Sequence, residues 1–151
     1  GNNEWNIPGN TKVVVLVNGD LNISLNQGKR ITVPIGSFLA FIVKGNINIS
    51  GNVGDKLAST TPHLQGIYFA DGVIDTYEPN PVEEGSGFRL VGAGLFYARG
   101  GFNLQRDLKN DCTGICNATT PAEYFIFRPD LVVNAPRELL VSKMSWVEVT
   151  P

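Results

Sequence analysis

Soft metal ligands are scarce in this chain, whose 151 residues include two cysteines, one histidine and one methionine. Two thiols and the distant His63 fall short of the four-ligand set that zinc takes, so no metal and no cofactor is expected. An excess of one charge is also lacking. Twelve Lys and Arg stand against 14 Asp and Glu, for a net charge of -2, and no basic block interrupts the mixture. Neutralising a phosphate backbone takes clustered positive charge, so nucleic acid is excluded as a partner. The longest apolar run, Phe38 to Val43, falls far short of the roughly 20 residues that cross a bilayer, and no membrane span is expected in this segment. A single domain covers residues 1–151, because a chain of this length builds one good core. The abrupt start at Gly1 suggests part of a longer chain, with any signal or anchor upstream.

The two cysteines lie in "NDCTGICN", where Cys112 and Cys116 are separated by a short polar stretch containing Gly114. A glycine there turns the chain and brings two thiols four residues apart within reach, so a loop disulfide and an oxidising compartment are expected. A reduced pair is the alternative.

What the chain does have is an echo. "VNGDLNIS" at 17–24 returns as "VKGNINIS" at 43–50, and the same surroundings recur at two later glycines. Gly19, Gly45, Gly72 and Gly100 are 26, 27 and 28 residues apart, and Pro129 occupies a fifth anchor 29 residues further on. An apolar run precedes each anchor: "VVVLVN", "LAFIVK", "GIYFAD", "GLFYAR" and, less regularly, "YFIFRP". A short alternating segment follows it. Leu21, Ile47, Ile74 and Phe102 stand two places after the glycines, and Ile23, Ile49, Thr76 and Leu104 four places after. Asn22, Asn48, Asp75 and Asn103 lie between them.

Segments of five or six residues rich in Val, Ile, Phe and Tyr, alternating or continuously apolar, read as strands and not as helices. A repeat of this length with one bent strand pair and glycine at the bend fits one coil of a parallel β-solenoid. The expected fold is therefore all-β, a single parallel β-helix of about four to five coils, right-handed, with a cap over about 134–151. Successive coils lie about 4.8 Å apart, so Leu21, Ile47, Ile74 and Phe102 should form one buried column, flanked by Ile23, Ile49 and Leu104. The Asn22, Asn48, Asp75, Asn103 column is either a hydrogen-bonded ladder or a solvated face. In the tail, Pro136 to Leu140 suits one helical turn and "SWVEV" a closing strand; Trp5 suits a cap at the other end.

Chemistry is thinly represented. Asp71, Asp75, Glu78, Glu83 and Glu84 gather around the third coil, but no matched acid and base stands out among them. Asp71 and Asp75 with the aromatics Tyr68, Tyr77 and Tyr97 make the candidate ligand-binding set. No nucleophile in a recognisable setting accompanies His63, so no catalytic residue is expected.

The segments "VNGDLNIS", "FLAFIVKGNINIS", "LQGIYFADGVIDT", "NLQRDL" and "PAEYFIFRPDLVVNAPRELL" resemble uncharacterised β-helix domains. Those domains lie near the C-termini of large surface or secreted proteins of candidate-phylum bacteria. The glycine-punctuated apolar repeat is more weakly similar to bactofilins, whose coils are shorter. The first resemblance implies display outside the cell and a structural or interaction role without catalysis, with a cell-envelope polymer, a glycan or another surface protein as partner. Two alternatives accompany it: a carbohydrate-binding or polysaccharide-cleaving β-helix, and a self-assembling filament.

Overall fold

A computed structural model describes residues 4–56, 58–78, 88–108 and 116–140. Parallel strands stack into a β-solenoid of about three turns, fewer than the four to five coils expected from the repeat. The first turn contains β1 (Trp5–Asn6), β2 (Lys12–Val17) and β3 (Leu21–Ile23). β4 (Ile31–Thr32), β5 (Phe38–Val43) and β6 (Ile47–Ser50) repeat them one level up, each in register after 26 residues.

The next level is simpler. β7 (Leu64–Ala70) continues both β4 and β5, because Ile31 pairs with Leu64 while Ala40 pairs with Ile67. Nine steps of chain below are thus matched by three above, and the bend between the two lower strands disappears. β8 (Ile74–Glu78), β9 (Leu90–Ala98) and β10 (Phe102–Asn103) complete the stack, and β11 (Glu123–Phe127) lies on β9. Two sheets result: β1, β2, β4, β5, β7, β9 and β11 form one, and β3, β6, β8 and β10 the other.

The columns follow the register. Leu21, Ile47, Ile74 and Phe102 are successive partners, and Ile23 faces Ile49. Ile47, Ile49 and Ile74 are fully buried. The upper end of the column departs from expectation, because Phe102 is 43% exposed and Leu104 58%. Among the described residues β10 is the last strand of its sheet and pairs only with β8, so no strand of theirs lies over these two side chains. A register shift between Asn48 and Ser50 also moves Thr76 out of a simple apolar column.

Inside the first sheet an aromatic column runs through Trp5, Phe41, Tyr68, Phe96 and Phe125, with centroid separations of 5.8, 5.2, 4.8 and 4.8 Å. Strand alternation selects these inward positions. Glycine permits the tight spacing at one level in particular: a Cβ on Gly94 would lie 1.7 Å from the carbonyl oxygen of Gly66.

The fifth anchor is corrected. Pro129 opens a helix, α2 (Pro129–Val133), following a short α1 (Cys116–Thr119) earlier in the chain. Proline suits a first helical position because the N–H it lacks has no partner there anyway. β11 accordingly pairs Phe127 with Gly94, not with the end of β9 as a 29-residue repeat would require. Leu131 is buried in the core, and Ala135 packs with Phe38, Ala40 and Ile67 on the outer side of the first sheet. α3 (Arg137–Leu140) supplies the helical turn expected in the tail. Arg128 holds this segment down: Nη1 donates to Val33 O at 2.8 Å and to Gln65 Oε1 at 2.9 Å, while Nε and Nη2 fork onto Asp130. Trp5 belongs to the first coil through β1 and lies edge-on to Phe41. Cys112, Glu83, Glu84 and the tail beyond Leu140 lie outside the described residues, and with them the expected disulfide and closing strand.

Candidate functional site

The outer surface of the first sheet is unusual for its chemistry. In β2, β5, β7 and β9 the inward residues alternate with outward ones, yet the outward ones are largely apolar too. Leu16 pairs with Ile42, Ile42 with Phe69, and Phe69 with Tyr97, making one straight outward column. Leu16 is 75% exposed, Phe69 39% and Tyr97 46%. Four rungs at about 4.8 Å give a stripe about 14 Å long.

A neighbouring column, Val14, Ala40, Ile67 and Leu95, is partly roofed by Ala135 from the C-terminal segment. The Leu16 to Tyr97 stripe lies beside a recess of about 350 Å³ that Leu16, Ile42, Lys44, Phe69 and Asp71 help to line. At the corner next to it stand Asn18, Lys44, Asp71 and Arg99. Their coils are linked by bonds from Lys44 N to Val17 O, Asp71 N to Val43 O and Arg99 N to Ala70 O. Arg99 Nη1 and Asp71 Oδ1 form an exposed ion pair at 3.1 Å. The stripe is apolar and its rim carries charges of both signs.

The ligand-binding set drawn from the sequence does not assemble. Tyr68 is fully buried between Phe41 and Phe96, and burial pushes its hydroxyl far above the usual range. Tyr77 is buried as well, with its ring so close to Gly51 that a Cβ there would meet it at 2.4 Å. Both tyrosines occupy inward positions, which the apolar character of the surrounding runs concealed. Tyr97 alone of the three is exposed, and its ring stacks on Phe69 at 4.7 Å and 17°.

Asp71 belongs to the corner of the first sheet and Asp75 to the outer face of the second. Asp75 works within a ladder: Asn48 Nδ2 donates to Asn22 Oδ1 at 2.9 Å, and Asn103 Nδ2 to Asp75 Oδ2 at 3.2 Å. Asp75 Oδ1 accepts the Tyr77 N–H at 2.9 Å. This polar column stabilises the stack of coils.

The burial of two groups went unrecognised in the sequence. Arg106 sends its guanidinium into the interior and donates to the carbonyls of Ser50, Gly51, Val53, Thr76 and Phe88. Burial lowers its pKa to about 10, opposed by the nearby Glu123 carboxylate. His63 is fully buried, and its Nδ1 accepts the Val91 N–H at 3.2 Å. Burial, with Arg30 adding to it, lowers its pKa to about 4. Both are structural: Arg106 ties loops together and His63 fixes the start of β7. No group of three or more His, Cys, Asp or Glu suited to a metal occurs among the described residues. None of their helices is long and apolar enough to cross a membrane.

Comparison with protein-family models, with curated proteins and with solved structures yields no match to this chain.

Proposed function

We infer that this domain is a non-enzymatic structural and interaction module of a bacterial cell-surface or secreted protein, and that it attaches to another envelope protein through the Leu16, Ile42, Phe69, Tyr97 stripe. The carrying observation is one straight column of four apolar side chains, with Leu16, Phe69 and Tyr97 exposed and Ile42 half-buried. Burying such side chains is worth about 1.5–3 kcal/mol each, which favours covering them with a partner. Placement outside the cell rests on the resemblance to β-helix domains of surface proteins.

The arrangement of the two exposed rings favours a protein over a glycan. Sugars bind to the open face of an aromatic ring, whereas Phe69 and Tyr97 stack face to face, so that each covers one face of the other. Of the tyrosines considered for a glycan, only Tyr97 remains available.

The test compares the parent with the Phe69→Ser/Tyr97→Ser double variant for binding to isolated bacterial envelope protein and to purified envelope glycan. Binding of the parent to the protein fraction and its loss in the variant, with an unchanged far-UV spectrum, supports the proposal. Binding to glycan alone, or equal binding by the variant, refutes it.

A further inference from the structure

The His63 ring has a second polar atom that its hydrogen bond to Val91 leaves unused. Nδ1 accepts the Val91 N–H, so in the neutral ring the hydrogen sits on Nε2 and that nitrogen is a donor. Nε2 is buried and meets no acceptor among the described residues. Arg30 Nε is in the same condition, a buried donor without an acceptor.

Register puts the two side by side. Ile31 pairs with Leu64 and donates its N–H to His63 O at 2.8 Å, so Arg30 and His63 are neighbours one place before β4 and β7. Ile31 and Leu64 belong to the core, and alternation turns Arg30 and His63 together to the opposite face. That face is closed over at His63, which has no exposed surface.

Acceptors nearby are already committed. Arg30 O accepts from Trp5 N, His63 O from Ile31 N and Val91 O from His63 N, at 3.0, 2.8 and 2.7 Å. The Glu4 carboxylate turns to Lys29 Nζ at 3.6 Å, and Asp55 Oδ1 accepts from Gln27 Nε2 and Lys56 N. Charge around the ring is unbalanced as well, because Arg30 and Arg106 act on it against Asp55 alone.

We propose that Arg30 Nε–H and His63 Nε2–H converge on one small monovalent anion of the size of chloride, which joins the start of β4 to the start of β7. A buried donor without an acceptor costs free energy, and one anion serves both donors at once. Water suits the pair less well. It would accept from both but bring two hydrogens of its own to a place where the neighbouring carbonyls are taken, whereas an anion offers lone pairs only and balances the excess positive charge. Burial of both nitrogens keeps larger anions out. The site shares no residue with the Leu16 to Tyr97 stripe.

The measurement is nitrogen-15 NMR of the imidazole, which is unambiguous because His63 is the only histidine. Chloride replaces the bulkier gluconate at neutral pH and a constant ionic strength of about 0.15 M. The expected ring is protonated on Nε2, its Nε2–H signal shifts saturably with chloride, and the urea midpoint is higher in chloride than in gluconate. Arg30→Met keeps the length of the side chain and removes the donor. In gluconate it should be at least as stable as the parent, since the donor it loses had no acceptor, and its affinity for chloride should fall at least about tenfold. Lys29→Met, which removes a charge paired with Glu4, should respond to chloride as the parent does. A ring protonated on Nδ1 overturns the proposal, as does a parent indifferent to chloride, which would assign the two donors to water. So does an Arg30→Met protein that responds like the parent, or a Lys29→Met protein that loses the response equally.

Discussion

Replacing Arg106 with methionine tests how the loops are held to the coils. Nε donates to Thr76 O at 2.8 Å, Nη1 to Val53 O and Phe88 O at 2.7 Å each and to Gly51 O at 3.4 Å, and Nη2 to Ser50 O at 3.0 Å. Methionine matches the length of the side chain and donates nothing. A buried carbonyl left without a donor costs about 1–3 kcal/mol. Ser50, Gly51 and Phe88 are half-buried and can turn to water, which leaves Val53 and Thr76 to bear most of the loss. Relief from burying a cation offsets part of it, and the net destabilisation should be about 3 kcal/mol. In a domain of about 150 residues each kcal/mol moves Tm by about 2–4 °C, so the melt should fall by about 10 °C. Arg106→Lys keeps the charge but has no planar fork, and should recover at most about half of the loss. Thermal unfolding by circular dichroism, with urea titration for the free energy, reads both variants. An Arg106→Met protein melting within about 2 °C of the parent would refute the reasoning, because water would then be serving the same carbonyls.

Acid should weaken the fold through His63, whose pKa of about 4 in the folded protein lies below the ordinary 6.5. Below pH 6.5 the unfolded chain takes up a proton that the folded one refuses, so this stabilisation is complete above that value and is lost as pH falls toward 4. Linkage puts the loss at about 2 kcal/mol between pH 7.5 and pH 5, measured by urea unfolding at both values. A His63→Gln variant should show a flatter profile; an equally steep one would assign the effect elsewhere. Gly94→Ala should prevent folding, since its Cβ would meet Gly66 O at 1.7 Å, whereas Gly9→Ala has nothing within 4 Å and should match the parent. Dispersion of the amide proton spectrum decides the pair, and a well-dispersed Gly94→Ala spectrum would contradict the close approach of the coils.

The repeat was legible because stacking imposes it. Residues one coil apart share an environment, so Leu21, Ile47 and Ile74 had to be alike, and the glycine corner had to recur where backbones meet. The alternation within "NINIS" put the Asn column on one outward face for the same reason, and only the structure shows the bond from Asn48 to Asn22 that makes it a ladder. In "FLAFIV" and "GIYFA" the signal failed, because both faces of the strand are apolar and periodicity then cannot say which side is the core. Tyr68 was therefore read as exposed, while Phe69 was overlooked. The fifth anchor misled differently, since an apolar run around a proline satisfies a strand pattern and a helix start alike.

By itself the sequence determined the all-β class, the parallel coil and the positions of its corners, because local alternation and a near-constant repeat length carry those properties. Tertiary structure alone decided which apolar side chains face solvent and which buried cation holds the loops. Those properties depend on what lies across a sheet or at the end of a stack. Arg106 meets carbonyls up to 56 residues away, and no local pattern in the chain encodes such a meeting.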